Sequence, residues 1–169
     1  MTINETDGKV RAVKNPPPPE DVSLPFLLRH ARGTYGSAMS AALAAAGFGD
    51  LPKSGFHVLG GLARRKGARP LSEVIEELRL SKQAAGQLVD RLVTHGYLER
   101  DVDAEDRRRL TVALTQRGRA AATVLGAARA RVDAELLSRT GPKDLERARR
   151  VLAVLIDIGR ELDSPDRDD

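Results

Sequence analysis

Apolar residues recur along most of this chain with a helical period. Leu24, Leu27, Leu28, Ala31, Tyr35, Met39 and Ala42 fall on one face of a helix predicted over residues 24–46. Gly33 and Gly36 weaken it, each by ~1 kcal/mol relative to Ala. The run Gly47-Phe48-Gly49-Asp50-Leu51-Pro52 breaks it. A second helix is predicted from Ser54 to Lys66, with Phe56, Val58, Leu59 and Leu62 apolar. It ends in Arg64-Arg65-Lys66-Gly67, where cations suit the negative helix end and Gly terminates the turn. A short helix follows, with Ser72 as its cap and Glu73, Glu76 and Glu77 at its positive end. Val74, Ile75 and Leu78 face inward, and Leu80 is expected to pack in the next turn. Ala85, Leu88, Val89 and Leu92 stand at i, i+3, i+4 and i+7 of another helix, capped by Ser81 and closed by His95-Gly96. Two helices joined by a tight turn make a helix-turn-helix.

The pattern then changes. Tyr97-Leu98-Glu99-Arg100 and Leu110-Thr111-Val112-Ala113-Leu114 are β-prone runs on either side of Asp101–Arg109, a segment too polar to bury. This predicts a hairpin with a long charged tip, a wing. Helical periodicity returns after it. Thr115 caps a helix running to about Arg139, with Ala121, Val124, Leu125, Ala128, Val132 and Leu136 apolar. Thr140-Gly141-Pro142 interrupts it, and Pro142 opens a last helix to about Leu162. That helix is expected to bury Leu145, Ala148, Leu152, Leu155, Ile156 and Gly159.

The predicted fold is mainly α with a small β-wing: a winged helix-turn-helix module flanked by N- and C-terminal dimerisation helices. Residues 1–23, with four consecutive prolines at 16–19, read as a flexible arm with an extended spacer. Residues 24–52 hold the first flanking helix and its loop. Residues 53–118 form the DNA-binding module, with a recognition helix at about 81–95 and a wing at about 98–114. Residues 119–162 hold the last two flanking helices, and 163–169 form an acidic tail.

At 169 residues the chain is long enough for a proper core. Aromatic residues make up only 3% and Trp is missing, so that core must be built from Leu, Val, Ile and Ala. There is no Cys, which excludes disulfides, thiolate metal sites and cysteine redox sensing. The N-terminus has no apolar signal-peptide region and no run is long enough to span a membrane, so a cytoplasmic location is expected. The net charge of +4 is unevenly placed. From Leu62 to Arg119 there are thirteen Lys/Arg against nine Asp/Glu, while the remainder holds fifteen of each. The whole excess therefore falls on the winged segment, a pattern that charge alone reads equally as an electrostatic footprint for nucleic acid or as a solvated charged face.

Off the apolar face of the recognition helix stand Lys82, Gln83, Gly86, Gln87, Asp90 and Arg91. A helix fits the major groove, where Gln83 and Gln87 can pair with adenine and Lys82 or Arg91 can reach guanine or phosphate. Ser81, Lys82, Gln83, Gln87 and Arg91 are the candidate DNA contacts of this helix. Arginines on a thin loop suit the minor groove, where the negative potential is strongest. Gly86 is unusual in mid-helix, and either close approach of backbone to DNA or drift would account for it.

The run from Leu71 to Gly118 resembles the winged-helix domain of MarR-family transcription regulators. The resemblance is carried by Leu71-Ser72-Glu73, Leu80-Ser81, Leu88-Val89-Asp90-Arg91-Leu92 and Gly96-Tyr97-Leu98-Glu99-Arg100. Its most specific part is Asp103-x-x-Asp106-Arg107-Arg108 followed by Leu114-Thr115-x-x-Gly118. Flanking helices match in number and order, extending the similarity over roughly Leu24 to Leu162. The resemblance implies Arg108 in the minor groove, Asp106 holding its guanidinium by a two-pronged salt bridge, and Arg107 on the phosphates. Asp103 is expected to shape the wing turn. Ala84 and Gly86 depart from the larger or hydroxyl-bearing residues common there, so sequence preference does not carry over.

The resemblance also implies a homodimer on a pseudo-palindromic operator, with half-sites ~34 Å apart. The apolar content of the flanking helices is compatible with this. It implies a repressor released by a small effector, often aromatic and anionic, with Arg29, His30, Arg32, Tyr35 and His57 as candidate contacts. Alternatives are a DNA-binding protein without an effector and a winged helix used for protein or RNA contacts. Catalysis is not expected. The sequence has no phosphate-binding glycine loop, nucleophile elbow or HExxH motif, and His30, His57 and His95 lack metal-ligand spacing. No cofactor or metal is expected.

Overall fold

The computed structural model describes residues 21–65, 67–103 and 106–163. The N-terminal arm through Glu20, Lys66 at the second helix's end, Ala104 and Glu105 in the wing tip, and the tail beyond Asp163 lie outside the described residues. The element order is α1 (Leu24–Ala45), α2 (Gly55–Arg64), β1 (Arg69–Pro70), α3 (Leu71–Glu77), α4 (Lys82–Thr94), β2 (Leu98–Val102), β3 (Leu110–Leu114), α5 (Gln116–Thr140) and α6 (Pro142–Asp163). The chain divides into two compact units, residues 1–34 and 35–169.

In the first unit the described residues are helical from Leu24. Leu24, Phe26 and Leu27 are exposed, and the Phe26 ring lies 4.1 Å from that of His30.

The second unit holds the core. Leu43, Phe56, Leu59, Leu62, Val89, Leu92, Leu98, Val112 and Leu125 belong to one buried cluster, mostly aliphatic as the composition requires. The apolar face expected of α4 is buried in full at Ala85, Leu88, Val89 and Leu92. Ser81 Oγ accepts the Ala84 amide at 3.2 Å, and Gly96 takes φ +70° just past the helix. β2 and β3 pair antiparallel from Leu98↔Leu114 to Val102↔Leu110. A third strand, β1, completes the order β1-β3-β2. Sequence reasoning missed it because two residues, one a proline, carry no periodicity.

β1 also moves the start of α3. Pro70 pairs with Thr111 and the helix begins directly after it, so Ser72 lies inside the first turn and does not cap it. Glu73 and Glu77 instead receive the guanidinium of Arg69, which is 7% exposed. Leu80 does not pack in the turn. It is exposed, Leu78 packs against the core, and Arg79 between them takes φ +49°.

Thr115 caps α5 as expected. Its Oγ1 accepts the Gly118 amide at 3.0 Å and sits 2.5 Å from the Gly96 carbonyl. Gly118 is pressed onto the backbone of Tyr97, and a Cβ there would lie 2.0 Å from the Tyr97 carbonyl oxygen. On α5, burial reaches Ala128 and stops, leaving Leu136 and Leu137 exposed. The expected burial of α6 is not found. It has no buried residue: Leu145 and Gly159 are half-buried, while Ala148, Leu152, Leu155 and Ile156 are exposed. The apolar pattern was real, but this chain alone does not cover it. Among the described residues no helix is long and apolar enough to cross a membrane.

Candidate nucleic-acid interface

The wing tip closes on a tight turn. The Arg109 amide donates to the Asp106 carbonyl at 2.9 Å, which places Arg107 and Arg108 at the two corners. Below it, the Asp103 amide donates to the Arg109 carbonyl at 2.9 Å. Asp103 also accepts the Asp106 amide on Oδ1 at 3.1 Å, the turn-shaping role expected of it.

Asp106 behaves otherwise than expected. Its Oδ1 accepts the backbone amide of Arg108 at 3.0 Å, and it makes no ion pair with that guanidinium. The reason is local. In an Asx turn the carboxylate of residue i is already beside the amide of i+2, whereas the long Arg side chain gains more hydration by pointing away. The side chains of Arg107 and Arg108 make no hydrogen bond or ion pair with other described residues.

Beside the wing, α4 exposes Lys82, Gln83, Gln87 and Arg91. The last three are spaced i, i+4 and i+8 and so share one stripe of the helix. Asp90, on the same exposed side, is neutralised by Arg100 of β2, whose Nη2 lies 2.6 Å from Asp90 Oδ1. That pair ties the recognition helix to the wing's first strand. Gly86 has open space around it, with nothing within 4 Å of a built Cβ.

Two further polar clusters hold the module together, and neither was found from the sequence. Tyr97, fully buried, donates to Asp50 Oδ1 at 2.6 Å. Arg117 donates to the same oxygen at 2.8 Å and to the phenol at 3.1 Å, with its guanidinium over the Phe48 and Tyr97 rings. Burial and the bond to Asp50 push the Tyr97 pKa up to about 12. The phenol's hydrogen bond, with help from Arg117, holds Asp50 below the usual carboxylate range. The second cluster is Arg69 with Glu73 and Glu77, in which Arg69's hydrogen bonds hold the Glu77 pKa low. No local sequence signal marks either cluster, because their members are brought together only by the fold.

These shifts have a pH consequence. Asp50 and Glu77 have lower pKa values folded than unfolded, so both stabilise the fold above their unfolded values of about 4. That stabilisation is lost as pH falls through the folded values. The urea midpoint is expected to drop between pH 6 and pH 3, and Glu77→Gln should flatten the drop. An unchanged pH profile in that variant would contradict the role given to Glu77.

The effector candidates are divided between the two units. Arg29, His30 and Arg32 lie exposed in the first unit. In the second, Tyr35 donates its phenol to Asp133 of α5, which raises its pKa, and His57 is exposed on α2 beside the Arg69–Glu77 pair.

Residues 50–109 match the MarR-family model MarR_2. No curated protein sequence matches the chain. Among solved structures, the S. aureus MepR–DNA complex superposes with TM-score 0.69 at 18% identity, over 81% of this chain and 98% of that one. S. aureus MepR in its DNA-binding conformation gives 0.67 at 18% identity, over 80% and 98%. A probable transcriptional regulator from Pseudomonas aeruginosa gives 0.62 at 27% identity, over 80% and 98%. The matched segment runs from the loop before α2 to the end of the wing turn, and the shared fold extends to the helices on either side. The chain has a winged helix-turn-helix fold, and the segment that carries it is similar to the MarR family.

Proposed function

We propose that this chain is a sequence-specific DNA-binding transcriptional regulator that acts as a homodimer in the cytoplasm. The observation that carries the reading is the pairing of two arginines at the wing corners, which make no ion pair with other described residues, with an exposed Gln83–Gln87–Arg91 stripe on α4. One element can read base edges while the other enters the adjacent groove. Ser81 and Lys82, exposed at the N-terminal end of α4, would meet phosphate, which the helix dipole there also favours. Lys82→Ala should weaken binding to all sequences alike and lower the slope of log affinity against log salt by about one. A base-specific loss would reassign Lys82 to readout.

The dimer is supported by α6, which leaves Val151, Leu152, Val154, Leu155, Ile156 and Ile158 exposed. An apolar stretch of that length on a single helix calls for a covering surface. Sedimentation should give a dimer, and Leu155→Glu should shift it to monomer at micromolar concentration. A wild-type chain that sediments as a monomer would refute this part.

The finer reading is a repressor released by a small, aromatic and anionic effector, with Arg29, His30, Arg32, Tyr35 and His57 as its contacts. A ligand phenol or carboxylate near Tyr35 would compete with Asp133 for the Tyr35 hydroxyl. Selection of binding sites from random DNA tests the reading as a whole. A pseudo-palindrome with half-sites about one helical turn apart is expected, and a pool with no enriched sequence would refute specific recognition.

A further inference from the structure

Among the described residues, Arg79 is the one non-glycine with positive φ, at +49°. A long side chain is strained in that conformation, which glycine or asparagine takes more readily. The turn between α3 and α4 therefore does not itself ask for an arginine. The Arg79 side chain is exposed and stands two residues before Ser81, the cap of α4. Lys82 opens the helix, exposed and without an ion pair to any other described residue. The partner of Arg79 comes from far along the chain. Asp163 Oδ2 lies 3.6 Å from Arg79 Nη1. Asp163 is the last residue of α6, at the negative end of that helix, where a carboxylate is disfavoured. Its own helix does not account for it, whereas the cation beside it does. The chain continues as Ser164-Pro165-Asp166-Arg167-Asp168-Asp169, so residues 163–169 carry four Asp against one Arg. Six residues reach up to ~20 Å when extended, against the ~11 Å at most that three residues put between Arg79 and Lys82.

We propose that the acidic segment 163–169 is an internal competitor for DNA, which holds the cationic entrance of α4 at Arg79 and Lys82 when no duplex is bound. This rests on the DNA-binding reading above and adds Arg79 to it as a phosphate contact. Carboxylates and phosphates take the same guanidinium and ammonium donors, so the tail and the duplex exclude one another there. Each exposed pair is weak by itself, but the tether keeps the carboxylates at high local concentration. A duplex carries many more charges along its length and displaces the tail. The tail reads no bases, so it lowers affinity for every sequence by the same factor.

The chain has no Cys, so Asp169→Cys takes a single nitroxide label. Amide relaxation is then read by NMR on the full chain without DNA. Residues 79–83 should broaden selectively at low salt, and the broadening should fade at ~1 M salt, where screening acts within ~3 Å. Arg79→Asn suits the positive φ, so it should reduce the broadening while leaving the melting temperature unchanged or higher, an outcome that a purely structural arginine would not give. In fluorescence anisotropy at low salt, deleting residues 164–169 should tighten binding roughly three- to tenfold, alike for operator and random duplex. That gain should vanish in an Arg79→Asn, Lys82→Ala background. Even broadening along the chain, broadening that survives high salt, or equal affinity with and without residues 164–169 would each overturn the proposal. The label is read without DNA. Selective broadening in a chain that binds no duplex in either form would overturn the DNA-binding reading and leave the contact between tail and α4 standing.

Discussion

Gly118→Ala is expected to destabilise this protein more than any other single methyl addition, by on the order of 3 kcal/mol or more. The added Cβ would lie 2.0 Å from the Tyr97 carbonyl oxygen and 3.0 Å from its carbon. Both are backbone atoms, so no rotamer change relieves the clash. The Tyr97 carbonyl also accepts the Thr115 amide at 3.1 Å, and Thr115 caps Gly118, so moving either strand of chain breaks the α5 cap. Tyr97 is fully buried and its phenol is fixed by Asp50 and Arg117, which leaves the other side of the contact little freedom. Urea denaturation followed by circular dichroism measures the loss. Gly86→Ala is the matched control. That site is helical and open, so the same change should raise stability by up to ~1 kcal/mol. Equal effects at the two sites would contradict the packing described.

The second large effect is expected at the wing. Arg108→Ala should lower operator affinity ten- to a hundredfold, about 1–3 kcal/mol for a groove contact. It should leave the melting temperature unchanged, since the side chain makes no hydrogen bond or ion pair with other described residues. Asp106 gives the more discriminating comparison. If its task is to accept the Arg108 amide, Asp106→Asn keeps the acceptor oxygen and should retain affinity, while Asp106→Ala loosens the turn and should cost a few-fold. A salt bridge to the guanidinium would instead make the Asn variant nearly as poor as the Ala variant. Binding unchanged in both Arg108→Ala and Asp106→Ala would remove the wing from the mechanism.

The elements that position this interface were legible because their signals are local. Ser81 three residues before Ala84, and Thr115 three before Gly118, are capping distances written in the sequence. The face Ala85, Leu88, Val89 and Leu92 is a period. What was not legible depends on residues far apart. Tyr97 finds Asp50 from 47 residues away and Arg117 from 20, and no pattern in the chain announces that meeting. The geometry found at Asp106 was hidden for a different reason. Two residues apart, an aspartate can serve either the amide or the guanidinium of an arginine, and spacing does not choose. The apolar face of α6 reads the same whether its own chain or a second copy covers it. The third strand could not be read from two residues, and it is what buries Arg69 and moves the start of α3.

The central claim is that α4 and the wing together read a DNA sequence. Its most direct test is fluorescence anisotropy of the purified chain against its own upstream intergenic DNA, with random competitor, at two salt concentrations. The account predicts tight, competitor-resistant binding at both, weakened in Arg108→Ala. Binding that competitor removes and salt abolishes, equal in wild type and variant, would contradict it.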